Sequence, residues 1–281
     1  MAGTLFVVAT PIGNLEDITL RALRVLREAD VVAAEDTRRT ARLLAHHAIT
    51  TPTLSFHEHN TRSRMPQILA RLEAGESVAL VTDAGTPGIS DPGVELVRAC
   101  IDRSIPVDPI PGASAPLTAA IASGFPLDPL TIFGFAPFRS KDRKLWLREA
   151  ANVPHTFTFF ETPHRIAETL QDMGDIFGER QIMVGRELTK LHQDLISGPS
   201  NSIIGRMPVV KGEFTIVVGP RIVAKPAASR ATDEEIVADF WQTTDKAAMN
   251  RRAAISAVAK KYGRSSRDVY AIIERTKKSG K

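Results

Sequence analysis

The sequence predicts an α/β protein: two α/β domains, residues 1–125 and 126–220, a linker over 221–232 and a basic helical extension over 233–281. Three observations support this. Short apolar runs alternate with amphipathic helical segments through the first 125 residues, the pattern of a parallel or largely parallel sheet with covering helices. A second series of apolar runs begins at Leu130. Beyond it, a stretch rich in Pro and Ala from Pro220 to Ala231 precedes three segments of helical character.

The first strand lies in residues 4–9 and runs into Thr10-Pro11-Ile12-Gly13-Asn14. Asp17 is placed to cap the next helix, whose Leu20, Leu23 and Leu26 share one face. Val31–Ala34 is the second strand, ending in Glu35-Asp36-Thr37-Arg38-Arg39; Thr53–Phe56 is the third, closed by His57-Glu58-His59-Asn60. A helix through Leu72 then ends at Gly75. The run Val78–Val81 reads as a buried parallel strand. It breaks at Thr82-Asp83 into a loop with Gly85, Pro87, Gly88, Pro92 and Gly93, and a helical pattern resumes at Val94. Pro106–Ile110 is the fifth strand, followed by Pro111-Gly112-Ala113-Ser114 and a helix of small residues.

In the second series, Leu130–Phe135 is a strand followed by a basic loop from Arg139 to Lys144. Thr156–Phe160, Gln181–Leu188, Asp194–Ser197 and Glu213–Val218 are further strands. Glu234–Trp241, Ala247–Tyr262 and Ser266–Lys277 read as helices, with Ser265 and Asp268 spaced as a capping box. Gly263 makes the turn between the last two, a spacing compatible with a helix-turn-helix module.

Composition narrows the function. Hydrophobic residues at 43% and charged residues at 24% are ordinary for a soluble globular protein. A single cysteine excludes a disulfide framework and a Cys-rich zinc site, and Cys100 shares a helical stripe with Leu96, Val97 and Ile101, which assigns it to the core. No run approaches 18 apolar residues and no signal peptide precedes the first strand, so a cytoplasmic protein with no membrane partner is expected. The net charge of +4 conceals an asymmetry: residues 246–281 hold eleven of the 36 Lys/Arg and two of the 32 Asp/Glu. Such a basic end suits a polyanion, above all nucleic acid, or acts as a solubilising terminus.

No G-x-G-x-x-G follows the first strand and no G-x-x-x-x-G-K-[ST] occurs, which argues against a Rossmann dinucleotide site and a P-loop. His57 and His59 lack a third metal ligand, and Ser90 and Ser114 lack the context of a hydrolase nucleophile. What remains is positional. Loops after strands one (Pro11, Gly13), four (Asp83, Gly85, Thr86) and five (Gly112, Ser114) belong at one edge of the sheet, where open α/β sheets place ligands. Glycine lets backbone groups approach a ligand, and no lysine accompanies the glycines, which favours a nucleoside-type ligand over a phosphate. A tight connection between strand and helix needs the same glycines.

The chain resembles the tetrapyrrole-methylase (class III) methyltransferases, and within them the bacterial group acting on small-subunit ribosomal RNA. The resemblance rests on Ala9-Thr10-Pro11-Ile12-Gly13-Asn14-Leu15, Ala34-Glu35-Asp36-Thr37-Arg38, Asp83-Ala84-Gly85-Thr86-Pro87 with Ser90-Asp91-Pro92-Gly93, and Pro111-Gly112-Ala113-Ser114. It continues through Phe160-Glu161-Thr162-Pro163-His164-Arg165, Arg186-Glu187-Leu188-Thr189-Lys190 and Lys211-Gly212-Glu213-Phe214. Two departures stand out: Gly88 replaces a bulkier apolar residue, and Phe160 stands where tyrosine is frequent.

The resemblance implies two α/β domains of the tetrapyrrole-methylase type, S-adenosyl-L-methionine bound in the cleft between them, and a homodimer. It implies methyl transfer to the ribose 2′-oxygen of a cytidine in the decoding region of 16S rRNA. Carried over by motif, Pro11, Ile12, Gly13, Asp83, Gly85, Thr86, Ser114 and Ala115 border the cofactor from the first domain. Phe160, Lys211, Gly212 and Glu213 close over it from the second. A ribose hydroxyl needs proton acceptance or polarisation, for which Glu35, Asp36, Glu187 and Lys190 are candidates, with Arg186 beside them. Asp36 reads equally as an N-cap and Arg186-Glu187 as an internal ion pair. Arg139, Lys141, Arg143 and Lys144 of the basic loop and Arg251, Arg252, Lys260 and Lys261 of the tail are expected to hold RNA phosphates. A small tetrapyrrole as methyl acceptor and a non-catalytic RNA-binding assembly factor are the competing functions; the basic tail disfavours the first and the glycine-lined loops the second.

Overall fold

A computed structural model describes residues 2–89, 93–206, 211–221, 231–246 and 250–279. The chain forms two compact units, Met1–Arg221 and Ile222–Lys281. The Ser90-Asp91-Pro92 part of the strand-four loop, residues 222–230 of the linker and residues 247–249 at the start of the second tail helix lie outside the described residues.

The first sheet contains β1 (Leu5–Val8), β2 (Val31–Ala34), β3 (Thr53–Ser55), β4 (Val78–Val81) and β5 (Val107–Ile110), all parallel, in the order β3-β2-β4-β1-β5. Strand alternation sends successive side chains to opposite faces. Val31, Ala33, Val78 and Leu80 therefore pack with Ile68, Leu69 and Leu72 of α3 (Thr61–Glu73) and Leu96 and Cys100 of α4 (Val94–Asp102). Val32, Ala34, Ala79 and Val81 pack with Ala22, Val25 and Leu26 of α1 (Leu20–Glu28) and Leu44 of α2 (Thr37–His46). Every residue of β2 and β4 is buried because both faces are covered.

The second sheet contains β6 (Leu130–Phe135), β7 (Thr156–Glu161), β8 (Gln181–Arg186), β9 (Asp194–Pro199) and β10 (Phe214–Val218), in the order β6-β7-β10-β8-β9. Only β6 and β7 run parallel. One face holds Phe157, Phe159, Ile182, Val184, Phe214 and Ile216, with Phe133 and Trp146 edge-on. The other receives α5 (Ala115–Ser123) from the first half of the chain, and Ala119 packs with Met183 and Val217.

The second unit is a bundle of α8 (Asp233–Lys246), α9 (Arg251–Tyr262) and α10 (Ser266–Ser279) around Ile236, Phe240, Ala254, Val258, Val269 and Ile272. Gly263 adopts φ 60° between α9 and α10, and Ser265 Oγ accepts from the Asp268 N–H, as the capping spacing predicts.

Three expectations are corrected. Asp17 does not cap α1: Asn14 Oδ1 accepts from the Glu16 N–H and starts a single 3-10 turn over Leu15–Asp17, so the helix begins later, with Thr19 accepting from the Ala22 N–H at 3.0 Å. That start turns Ala22, Val25 and Leu26 inward and leaves Leu20 86% exposed. The basic stretch Arg139–Lys144 is not a loop, because α6 (Ser140–Ala150) begins inside it. Within α6, Arg143 is buried and donates to Asp172 at 3.0 Å and Glu168 at 3.1 Å on α7 (Ile166–Phe177), while Lys144 reaches Asp172 at 3.4 Å. Arg143 thus holds two helices together and presents no charge to a phosphate. Removing one partner of a buried pair strands the other. Arg143→Ala is expected to cost about 3 kcal/mol in urea unfolding, against less than about 0.5 kcal/mol for the exposed Arg139→Ala.

Candidate functional site

The chain leaves the neighbouring strands β1 and β4 in opposite directions, toward α1 on one face and α4 on the other. A crevice must open beyond their carboxyl ends. Its lips are tied by a two-residue bridge: Thr10 N–H donates to Gly85 O at 2.9 Å and Gly85 N–H to Thr10 O at 3.0 Å. Gly85 lies at φ 81°, a conformation that L side chains rarely adopt. Thr86 Oγ1 donates to Ala113 O at 3.3 Å, which brings in the loop after β5.

The floor carries two cross-bonded carboxylates. Glu35, the residue after β2, accepts from the Asp83 N–H at 3.2 Å, and Asp83 accepts from the Asp36 N–H at 3.0 Å. Arg39 approaches Asp83 at 3.5 Å. Burial raises the Glu35 carboxyl above its ordinary value, helped by the Asp83 carboxylate and opposed by the Asp83 N–H. Asp36 behaves differently: hydrogen bonds from the Arg38 side chain and N–H hold it down at about 2. It is the N-cap of α2.

The opposite wall comes from the second sheet. Phe135 and Phe160, paired in the β6/β7 register, hold their rings 5.2 Å apart at a tilt of 42°. Next to them Glu161 is buried but satisfied by the Thr162 N–H at 2.7 Å, Thr169 Oγ1 at 2.8 Å and Arg165 at 2.7 Å. Between these walls lies a cavity of about 300 Å³, lined also by Ile12, Ser114, Ala115, Pro116, Leu188 and Thr215.

A seam closes the side of this cavity. Glu187 accepts from Lys190 Nζ at 2.9 Å and from the Glu213 N–H at 3.0 Å, and Lys190 also reaches Glu213 at 2.9 Å. Burial draws the Glu187 carboxyl upward, but the Lys190 and Glu213 donors outweigh it and set it below its ordinary value. Gly13 sits so close that a Cβ there would meet Lys190 Cγ at 2.5 Å and Leu188 O at 2.8 Å.

Of the expected cofactor residues, Ile12, Asp83, Gly85, Thr86, Ser114, Ala115, Phe160, Gly212 and Glu213 line the cavity. Pro11, Gly13 and Lys211 are not in its wall; Gly13 serves the seam. Of the four catalytic candidates the structure brings only Glu35 to the cavity, since Asp36 caps a helix and Glu187 and Lys190 clamp each other. The internal pairs join Glu187 to Lys190 and Arg186 to Asp194, not Arg186 to Glu187. Arg39, Phe135 and Leu188 were not singled out for the cavity; the parallel pairing of β6 with β7 is the signal that would have found Phe135. Among the described residues no group of three or more His, Cys, Asp or Glu is placed to hold a metal ion, and no helix is long and apolar enough to cross a membrane.

Fold and crevice define an α/β protein with its ligand site at the carboxyl edge of a parallel sheet. Residues 4–204 match the tetrapyrrole (corrin/porphyrin) methylases, and the chain belongs to that family. The ribosomal RNA small subunit methyltransferase I of Halalkalibacterium halodurans is 41% identical over 96% of this chain and 94% of its own length. The protein of the same name from a Synechocystis species is 41% identical over 95% and 96%. Among solved structures, uroporphyrin-III C-methyl transferase from Thermus thermophilus complexed with S-adenyl homocysteine matches with a TM-score of 0.54 at 19% identity, over 76% of this chain and 97% of that one.

The raised Glu35 carboxyl has a stability consequence. A folded pKa above the unfolded one gives a contribution that is full below the unfolded value and lost as pH rises through the folded value. Glu35→Gln, whose side-chain oxygen can still accept the Asp83 N–H, is therefore expected to melt above the native protein at neutral pH. That advantage should vanish below the ordinary carboxyl value of 4.5, as read by thermal unfolding across pH.

Proposed function

We propose that this protein is an S-adenosyl-L-methionine-dependent methyltransferase that methylates the ribose 2′-oxygen of a cytidine in the decoding region of 16S rRNA, acting in the cytoplasm as a homodimer. The observation that carries the reading is the cavity lining: Glu35, Asp83, Thr86 and Ser114 on one wall, Phe135 and Phe160 beside Glu161 and Glu213 on the other, no lysine, and a single arginine, Arg39, already facing Asp83. A phosphate ligand would leave Glu35 and Asp83 facing like charge, whereas a sulfonium nucleoside suits both walls. Near full-length likeness to proteins named for small-subunit rRNA supports the substrate.

The residues present fit the cofactor. Gly85, at a φ that L side chains rarely adopt, leaves the lip of the cavity free of a side chain, Asp83, Thr86 and Ser114 would take the polar groups, and Ile12, Phe135, Phe160 and Leu188 would flank the base. When bound, S-adenosyl-L-methionine supplies a methyl group on a positively charged sulfur. The chain's contribution is alignment, which lowers the barrier without covalent chemistry, and acceptance of the hydroxyl proton as the new oxygen–carbon bond forms. Glu35 is the carboxylate we assign to the proton, since its raised pKa brings it nearer the operating pH.

The test is methyl transfer from labelled cofactor to naked 16S rRNA, assembled small subunits and small tetrapyrroles, with nuclease digestion to locate the label. Label on a cytidine ribose is expected. Label on a base or only on a tetrapyrrole refutes the substrate, and no transfer to any acceptor leaves a binding factor. Glu35→Gln should lower the single-turnover rate by about 10²-fold or more, with cofactor affinity little changed; an unchanged rate removes Glu35 from the mechanism.

The tail adds a second expectation. Arg252 and Lys260 are exposed on α9, while Arg251 pairs with Glu274 and Lys261 with Asp239. Deleting residues 231–281 should weaken RNA binding and spare cofactor binding; equal losses of both would deny the tail a separate role.

A further inference from the structure

The helices leaving the adjacent strands β2 and β3 both open with arginines. Arg38 and Arg39 lie in the first turn of α2 and Arg42 follows, while Arg62 and Arg64 lie in the first turn of α3, and neither helix has an acid there. Cations at this position work against the helix dipole. α4, α6 and α7 begin with acids, Glu95, Asp142 and Glu168, and α2 has Asp36 as its N-cap; α1 and α9 also begin with arginines, but there Arg21 pairs with Asp108 and Arg251 with Glu274. Packing does not require the arginines: α2 buries Thr40, Leu43 and Leu44, and α3 buries Thr61, Ile68, Leu69 and Leu72. Ion pairing engages Arg38 and Arg39 and, among the described residues, leaves the other arginines of these two starts without a carboxylate. Arg38 meets Asp36 at 2.9 Å with its side chain 88% exposed, and Arg39 meets Asp83 at 3.5 Å. Among the described residues no carboxylate pairs with the exposed Arg42 or Arg62. Exposed arginines at two helix starts on one sheet edge, with Arg42 and Arg62 given no carboxylate among the described residues, make a basic surface that packing does not explain.

Its position says which one. In a parallel sheet both helix starts fall on the carboxyl edge that carries the cavity, and Arg39 is itself part of the cavity wall. Arg38, Arg42 and Arg62 do not line the cavity of about 300 Å³, so a ligand confined to it has no use for them. A polyanion longer than the cavity is the partner that such an arrangement fits. We propose that Arg38, Arg42 and Arg62, continuous with Arg39, hold the phosphates of the substrate RNA beside the nucleotide that enters the cavity. This rests on the RNA reading above, and it assigns to α2 and α3 the role that sequence alone gave to Arg139–Lys144.

The experiment compares the full-length native protein with the triple variant Arg38→Gln/Arg42→Gln/Arg62→Gln on 16S rRNA transcripts. The RNA KM is expected to rise roughly tenfold, and the slope of log affinity against log salt to fall by about two. S-adenosylhomocysteine binding by calorimetry should stay unchanged, and the corresponding triple lysine variant should keep most of the native salt slope. If the native protein methylates RNA while the glutamine triple keeps its KM and salt slope, the surface is overturned and the substrate reading stands. If the native protein methylates only a small tetrapyrrole, the substrate reading falls and the surface falls with it. Should the glutamine triple lose cofactor binding, the single Arg62→Gln decides: a smaller salt slope supports the surface, and an unchanged slope overturns it.

Discussion

The Thr10–Gly85 bridge is the constraint on which the site depends. Adjacent parallel strands whose connections depart to opposite faces leave backbone groups at a splayed edge, and these must find partners where water is scarce. The bridge satisfies two pairs of them, and Thr10 Oγ1, donating to Thr82 O at 3.2 Å, completes the tie. The bridge also dictates the Gly85 conformation at φ 81°. One strand over, Glu35 accepts from the Asp83 N–H and Asp83 from the Asp36 N–H, so β2 and β4 end together. These bonds place two carboxylates side by side, and that proximity joins burial in raising Glu35. The chemistry of the floor is thus a by-product of how the sheet edge is closed.

The second sheet completes the cavity through its alternation. Phe157 and Phe159 of β7 point into the aromatic core, so Phe160 points the other way, beside Thr215 of β10. α5, coming from the first half, covers Met183 and Val217, and its first residues, Ala115 and Pro116, line the cavity with Phe160 and Thr215. The seam carries strain: Glu187 at φ 50° and Thr189 at φ 65° cost on the order of 1–3 kcal/mol each. The Lys190 clamp and the bond from the Asn14 N–H to Thr189 Oγ1 at 3.1 Å hold the strained turn against Gly13. Strain kept in place by this many bonds gives the cavity wall a defined position.

Much of this was readable in the sequence. The strands of both sheets were, because buried parallel strands are short, apolar and bounded by turn residues. The Asp83–Thr86 loop was readable as a loop at the carboxyl edge of the sheet, because the apolar run ends there in residues that break strands and helices. What escaped depended on contacts remote in sequence. Asp17 and Thr19 are both good caps, and only the turn begun by Asn14 decides between them. Gly13 and Gly85 look alike on paper; one allows a close approach at the seam and the other a positive φ at the lip. Phe135 belongs to the cavity because β6 pairs with β7, a fact of register that no local pattern contains.

Arginine was the least readable residue, since its role follows from what surrounds it. Arg143 lies in a stretch dense with positive charge, yet α6 turns it onto Asp172 and Glu168 and it vanishes from the surface. Arg180 is buried as well, donating to the carbonyls of Gly219 at 2.8 Å and Val153 at 2.9 Å under the Phe157 and Phe177 rings, and burial lowers its pKa to about 10. Arg39 stands between these cases and the exposed arginines, half engaged with Asp83 at the cavity wall. Burial near carboxylates or carbonyls turns the guanidinium into a structural fastener, and exposure at a helix start leaves it a field. On the function proposed above, a cavity wall with one arginine and no lysine, set beside such a field, would divide the work: neutral and sulfonium groups inside, phosphates outside. The division follows from desolvation, because a phosphate drawn into the cavity would lose its water against Glu35 and Asp83, whereas on the arginine surface it keeps its water and gains the charge.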